Sequence, residues 1–245
     1  LDVTDVDAFY DGIDPQAWLD NGNFAHVTEL SQTVGKTHMI FPNIGGPCGE
    51  LHENFEEALV QAIEDPEKGY RNLLGQCRGY AFRTVKAARQ CGADGFIFSL
   101  GYGGAMDVIS PELTRRMNLD PWIEFFHQQR RIGLLPIGYF LGNIHPFMEI
   151  IVETQPAGVM LEESKKGFVL DPIEIRKKLP EDIVLFGNVD SVMLWHGTPR
   201  DIIAEVKRQA AARDYGPFVF MNGSPICPET PPDNLKAFLD AARSV

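Results

Sequence analysis

Glu162, Asn188 and Asp190 are the residues of this 245-residue chain whose types and placement best suit a catalytic centre. Each stands just beyond a short apolar run: Glu162 after AGVML (157–161), Asn188 and Asp190 after IVLFG (183–187). A carboxylate in such a place is costly unless solvated or matched, so it points to acid–base work or to substrate contact. For Asn188 and Asp190 two readings stay open: they orient a substrate, or they cap the next helix and stitch neighbouring loops. His145 shares that ambiguity, because it precedes Pro146 at an expected helix start. Other polar residues trail other apolar runs and suit the binding of a small ligand: Asn43, His52 and Glu53; Ser99 and Tyr102; Tyr139 and Asn143; Asn222 and Ser224. Cys48 suits either a soft ligand or a small buried thiol. Cys227 and His196, the latter expected at a helix N-terminus, are weaker candidates. Gly45-Gly46 and Gly103-Gly104 either admit an anion to backbone N–H groups or only make tight turns.

The elements that must position these residues are legible from patterning. Apolar runs of five to eight residues recur at 37–44, 95–100, 134–140, 157–161, 183–187 and 217–221, without period-two alternation. That is the signature of parallel strands buried on both faces. Helical stretches are expected between them near 54–91, 111–130, 145–154, 172–179 and 200–213, with a last one at 232–244. Ser110-Pro111, Asp171-Pro172 and Thr198-Pro199 each place a capping side chain before a first-turn proline. The βα order implies a parallel sheet whose ligands meet the strand C-termini, where Gly, Pro and Asn cluster. No GxGxxG turn follows a strand, so an open dinucleotide-binding sheet is disfavoured. The expected fold is α/β, a (β/α)8 TIM-type barrel. Residues 1–36 read as loop and helix and 37–245 as six βα units of one domain, with the first one or two units expected upstream of Leu1.

Composition narrows the function classes. A formal net charge of −12 opposes a nonspecific grip on nucleic acid or anionic lipid. The four cysteines, Cys48, Cys77, Cys91 and Cys227, form no CxxC pair, so a disulfide framework is not expected and a reducing, cytoplasmic setting is. No apolar run approaches the roughly 20 residues that span a bilayer.

Five stretches in order carry a family resemblance: IGGP, GADGFIFS, LDPWIEFF with LLPIGYFLGN, GNVDSVMLWHGTPRDIIAEVKRQ, and FVFMNGSPICPETPPDNLKAFLDAARS. Together they resemble the uroporphyrinogen decarboxylase superfamily from about Thr37 onward. The resemblance implies a (β/α)8 barrel. The arginine-rich loop and aspartate with which the true decarboxylases grip a tetrapyrrole have no counterpart here.

The superfamily also holds corrinoid-linked methyltransferases. In those serving coenzyme M, zinc is bound by His-x-Cys after a middle strand and by a Cys near the last one; the matching positions here are Tyr139, Leu141 and Ser224. The true decarboxylases place a histidine at the Ser224 position and a tyrosine near Glu53. Glu162-Glu163-Ser164-Lys165-Lys166-Gly167 is similar to a third branch, which moves methyl groups from methylated or methoxylated small molecules to a corrinoid protein. Some members of that branch hold zinc with two Glu and a His, for which Glu162, Glu174 and His196 are the nearest set. The resemblance thus implies methyl transfer with a corrinoid on a partner protein, with zinc undecided and a homodimer left open. The alternatives are a cofactor-free decarboxylase and a noncatalytic binding paralogue. On the first, Glu162, Asp190 and His145 are the catalytic candidates.

Overall fold

A computed structural model describes residues 5–45, 60, 63–100, 106–165 and 167–245. His52, Glu53, Tyr102, Cys48, Gly46, Gly103-Gly104 and Lys166 therefore lie outside the described residues.

Among the described residues, six strands form one sheet in the order β1 (Asn43–Gly45), β2 (Gly95–Leu100), β3 (Leu135–Phe140), β4 (Gly158–Leu161), β5 (Val184–Phe186) and β6 (Phe218–Val219), every pair parallel. Each lies within or against an expected apolar run. The order never reverses, so the sheet has no switch point and is wound one way, as in a barrel. Curvature follows from one contact: Tyr139 at the end of β3 donates its hydroxyl to the carbonyl of Gly223, beyond β6, at 2.7 Å. In a flat sheet those strands would be three spacings of about 4.8 Å apart, beyond the reach of a tyrosine. The sheet is an arc of a (β/α)8-type barrel.

Side chains on the outer face of the arc meet the helical layer. Phe96, Phe98, Phe140, Val159, Leu161 and Leu185 are fully buried, and Phe98 packs on Phe125 with ring centroids 4.7 Å apart. The helices between strands are α4 (Pro66–Gln76), continued by a π-turn into α5 (Phe82–Gln90), then α6 (Pro111–Met117) and α7 (Leu119–Arg131). After these come α8 (Met148–Glu153), α9 (Pro172–Arg176), α10 (Ser191–His196), α11 (Pro199–Ala210) and α12 (Pro232–Ser244). The expected caps are in place: Leu113 N–H donates to Ser110 Oγ, Ile173 N–H to Asp171, and Thr198 and Asp201 form a reciprocal capping box.

Three differences from the expected pattern have local causes. The helix expected over 111–130 divides at Asn118, because Pro121 has no N–H to offer residue 117 and is tolerated only in a new first turn. Over the helix expected from 54, described residues 60, 63 and 64 are helical, but the run breaks at Asp65, which caps a new helix, α4, starting at Pro66. A short helix, α10, precedes α11, so His196 ends a helix rather than starting one and stacks on Trp195 at 3.9 Å.

Residues before β1 form α1 (Val6–Asp11), α2 (Gln16–Asp20) and α3 (Ala25–Val34). Helices α1 and α2 dock on the outer helical layer. Lys86 Nζ donates to the carbonyls of Tyr10, Asp11 and Ile13 at the C-terminal end of α1, and Trp18 donates to Thr84. Cys77, Cys91 and Cys227 form no disulfide. No helix among the described residues is long and apolar enough to cross a membrane.

Candidate active site at the strand C-termini

On one face of the arc, residues alternate to give the lining of the barrel interior. Ile97, Ile137, Met160, Phe186, Val219 and Met221 border a cavity of about 240 Å³, together with Phe41 and Phe220. Two residues further along each strand, on the same side by the period-two rule, stand Ser99, Tyr139, Glu162, Asn188 and Gly223. An apolar floor is thus overlaid by a polar rim.

The rim is organised around two adjacent carboxylates. Glu162 and Glu163 follow β4 and are both buried, at 7 % and 8 % exposure. Glu162 Oε2 accepts the N–H of Gly142 at 2.8 Å, and its Oε1 pairs with Lys165 Nζ at 2.7 Å. Lys165 also lies 3.8 Å from Glu163 Oε1, which accepts the Ser224 hydroxyl at 2.6 Å. Glu163 Oε2 is buried with no hydrogen-bond partner. Burial, then the charges of Glu162 and Glu163, push the Tyr139 hydroxyl well above the ordinary tyrosine range, so it remains a neutral donor.

Two glycines make this convergence possible. Gly142 has φ +89°, and a Cβ there would lie 2.9 Å from the Asp107 backbone nitrogen. Gly223 lets the turn after β6 close on Glu163, since its Cβ would fall 2.3 Å from the Glu163 nitrogen.

The structure sorts the sequence candidates. Glu162, Tyr139 and Ser224 come together. Asn188 is buried beside them, but its amide donates to the carbonyls of Glu162 and Leu170, at 2.9 and 2.7 Å, and so ties the loop after β4 to β5. Asp190 caps α10 through Val192 N–H at 2.7 Å. Asn222 donates to the Ser224 carbonyl within its own turn. Asn143 accepts from His145 N–H, and the His145 ring contacts the Val169 carbonyl at 2.8 Å, bordering a separate outer groove with Pro146, Met148 and Glu149. Ser99 is level with Tyr139 in the register, and Asn43, itself exposed, is level with Ile97. Glu163 and Lys165 were not among the candidates. Their signal was the pairing of adjacent carboxylates with a cation two residues on, directly after a strand.

The donor sets named for zinc do not fit. Tyr139 and Ser224 do converge, through Gly223, which agrees with their equivalence to the ligand positions, but they bring two hydroxyls in place of imidazole and thiolate. Glu174 is exposed and paired with Lys177 at 2.7 Å, and His196 lies at the end of α10, so neither joins Glu162. No group of three His, Cys, Asp or Glu side chains converges among the described residues.

A scan against family models matches the uroporphyrinogen decarboxylase model over residues 47–245. The chain belongs to that family. It is 32 % identical to the uroporphyrinogen decarboxylase of Pseudoalteromonas atlantica over 197 residues, 79 % of this chain and 53 % of that protein. Against the uroporphyrinogen decarboxylase of Rhodospirillum rubrum it is 32 % identical over 119 residues, 48 % of this chain and 32 % of that protein. The chain thus spans about a third to a half of the curated relatives it matches. Among solved structures it is similar to a methyltransferase from Methanosarcina mazei, with TM-score 0.76, 20 % identity, and coverage of 89 % of this chain and 62 % of that one. A putative vitamin-B12-independent methionine synthase from Listeria monocytogenes matches with TM-score 0.58 and 15 % identity over 90 % and 68 % of the two chains. These two likenesses show the fold alone.

Proposed function

We propose that the chain is the substrate-binding part of a methyltransferase that moves a methyl group between a small methylated molecule and a corrinoid carried on a partner protein. The observation that carries this reading is the charge of the rim. Glu162 and Glu163 are buried at the mouth with Lys165 beside them, an arrangement that repels a substrate bearing many carboxylates and suits a small molecule with few. Uroporphyrinogen carries eight carboxylates.

In this reading the apolar floor excludes water and holds the methyl-bearing part of the substrate, while Glu162, fixed by Gly142 and Lys165, orients its polar end. Tyr139 and Ser224 shape the rim as neutral hydrogen-bonding groups. The corrinoid, when its carrier is bound, supplies the nucleophile for the methyl group. Val108, Val169, Val192 and Ile226, all exposed, lie on segments leaving the strand C-termini, and they favour a partner meeting that face. An enzymatic role in the cytoplasm and a homodimeric state belong to the same proposal.

The test is anaerobic mixing of the protein with Co(I) cobalamin and a panel of methylated donors, followed by absorbance. Consumption of Co(I) with one donor is the expected result; an unchanged spectrum across the panel contradicts it. The identity to curated decarboxylases supports a second reading, cofactor-free decarboxylation, which predicts CO₂ release from a porphyrinogen or smaller acid without added corrinoid.

A further inference from the structure

Asparagine precedes glycine twice in this chain, at Asn21-Gly22 and at Asn222-Gly223. In such a pair no side chain shields the glycine nitrogen, which can turn on the asparagine side chain and close a cyclic imide. The fold treats the two pairs differently. Asn21, Gly22 and Asn23 are all exposed in the turn between α2 and α3. Gly22 has φ +76°, and nothing lies within 4 Å of where its Cβ would stand. The Asn21 side-chain oxygen accepts the N–H of Asn23 at 2.9 Å. That donor polarises the side-chain carbonyl and sits where negative charge gathers when the carbonyl carbon is attacked. The Gly22 N–H donates to the Leu19 carbonyl at the solvated end of α2, at 3.2 Å. Asn222-Gly223 has the opposite setting: Gly223 is buried, its N–H donates to the Val189 carbonyl at 3.0 Å, and Tyr139 holds its own carbonyl. The Asn222 amide is itself spent on the Ser224 carbonyl.

We propose that Asn21 is a site of spontaneous deamidation, with water as the reagent and no enzyme required. Rotation about the Asn21 Cα–C bond brings the Gly22 nitrogen to Cγ, and the exposed turn leaves room for it. The nitrogen gives its proton to hydroxide and bonds to Cγ. The Cγ–Nδ2 bond breaks, and Nδ2 leaves as ammonia with a proton from water. Water then opens the cyclic imide at either carbonyl. One opening gives aspartate; the other gives isoaspartate, in which the main chain runs through the former side chain. Nothing is oxidised or reduced. Either product adds a negative charge beside Asp20 at the C-terminal end of α2, where the helix disfavours it. Helix α2 docks through Trp18, whose indole donates to Thr84 and lies under the Arg83 guanidinium. The modification therefore strikes the join between that docked helix and α3.

The experiment is incubation of the folded full chain in mildly alkaline buffer, with peptide mass spectrometry reading the amide-to-acid mass gain at each asparagine over time. Asn21 is expected to convert faster than Asn222 by about tenfold or more, because the buried pair must first open locally. In urea, where both pairs are free, the two rates should come within about threefold of each other. Raising the pH by one unit should speed conversion at Asn21 about tenfold, since the glycine nitrogen must lose its proton before it attacks. Asn21→Gln carries the same amide one methylene further out and should leave that peptide unconverted over the same time. Conversion of Asn222 as fast as that of Asn21 in the folded chain overturns the proposal. So does an Asn21 that persists in the folded chain while the urea-unfolded chain converts, or equal conversion at position 21 in Asn21→Gln.

Discussion

Gly223 is where one methyl group decides whether the rim exists. A Cβ there would stand 2.3 Å from the Glu163 nitrogen and 2.7 Å from its Oε2, so Gly223→Ala must push the turn after β6 away from β4. The expected cost is about 1–3 kcal/mol, read from chemical denaturation, with loss of the Tyr139 and Ser224 contacts. Asn188→Ala removes the donor shared by the Glu162 and Leu170 carbonyls in a buried site and should cost about 2 kcal/mol or more. Asn188→Asp should fare no better, since a carboxylate cannot donate to a carbonyl. At this scale the sequence marked where polar residues lie but not whom they serve. Asn188 and Glu162 both follow buried strands, and only the folded chain distinguishes the amide, whose donors go to loop carbonyls, from the carboxylate at the rim.

Among the elements, the caps were the most legible part because each is a local bargain between a side chain and a first-turn N–H. Thr198→Ala breaks the capping box with Asp201 and should lower stability by about 1 kcal/mol. The short α10 was not legible. Its six residues carry no helical period long enough to detect, and Asp190 caps it in a sequence that reads equally well as a loop. Arg176 stands in a basic run, Arg176-Lys177-Lys178, a pattern that by itself suggests a solvated helix face. It is fully buried, and its guanidinium donates to the carbonyls of Leu179, Pro180 and Ile183, joining the end of α9 to the start of β5. Burial pushes its pKa down, and the carbonyls hold the charged form in place. Arg176→Ala should cost about 3 kcal/mol or more, measured as a fall in the denaturation midpoint, by leaving those carbonyls unpaired.

For the molecule as a whole, strand number and parallel order could be read from six apolar runs, whereas the curvature had to come from the Tyr139–Gly223 chord. The docking of α1 on the outer helices was hidden because it depends on side chains far apart in sequence. Tyr10, 1 % exposed, donates to Glu124 at 2.8 Å, and Glu124 is held by Arg78 at 2.7 and 2.8 Å. Burial, then the Glu124 charge, raises the Tyr10 pKa above its ordinary 10.0. Its contribution is therefore complete below pH 10 and is lost as pH climbs toward the raised folded value, by about 1.4 kcal/mol per pH unit, because only the unfolded chain ionises there. Tyr10→Phe should destabilise the protein at pH 7 and narrow its deficit to wild type above pH 10, as read from urea unfolding across that range. The central claim, that the carboxylate rim over the apolar cavity is where a methyl donor is held, is tested most directly by kcat/KM for Co(I) methylation in wild type and folded Glu163→Gln. The account predicts a fall of about tenfold or more in the variant; equal values in the two proteins would contradict it.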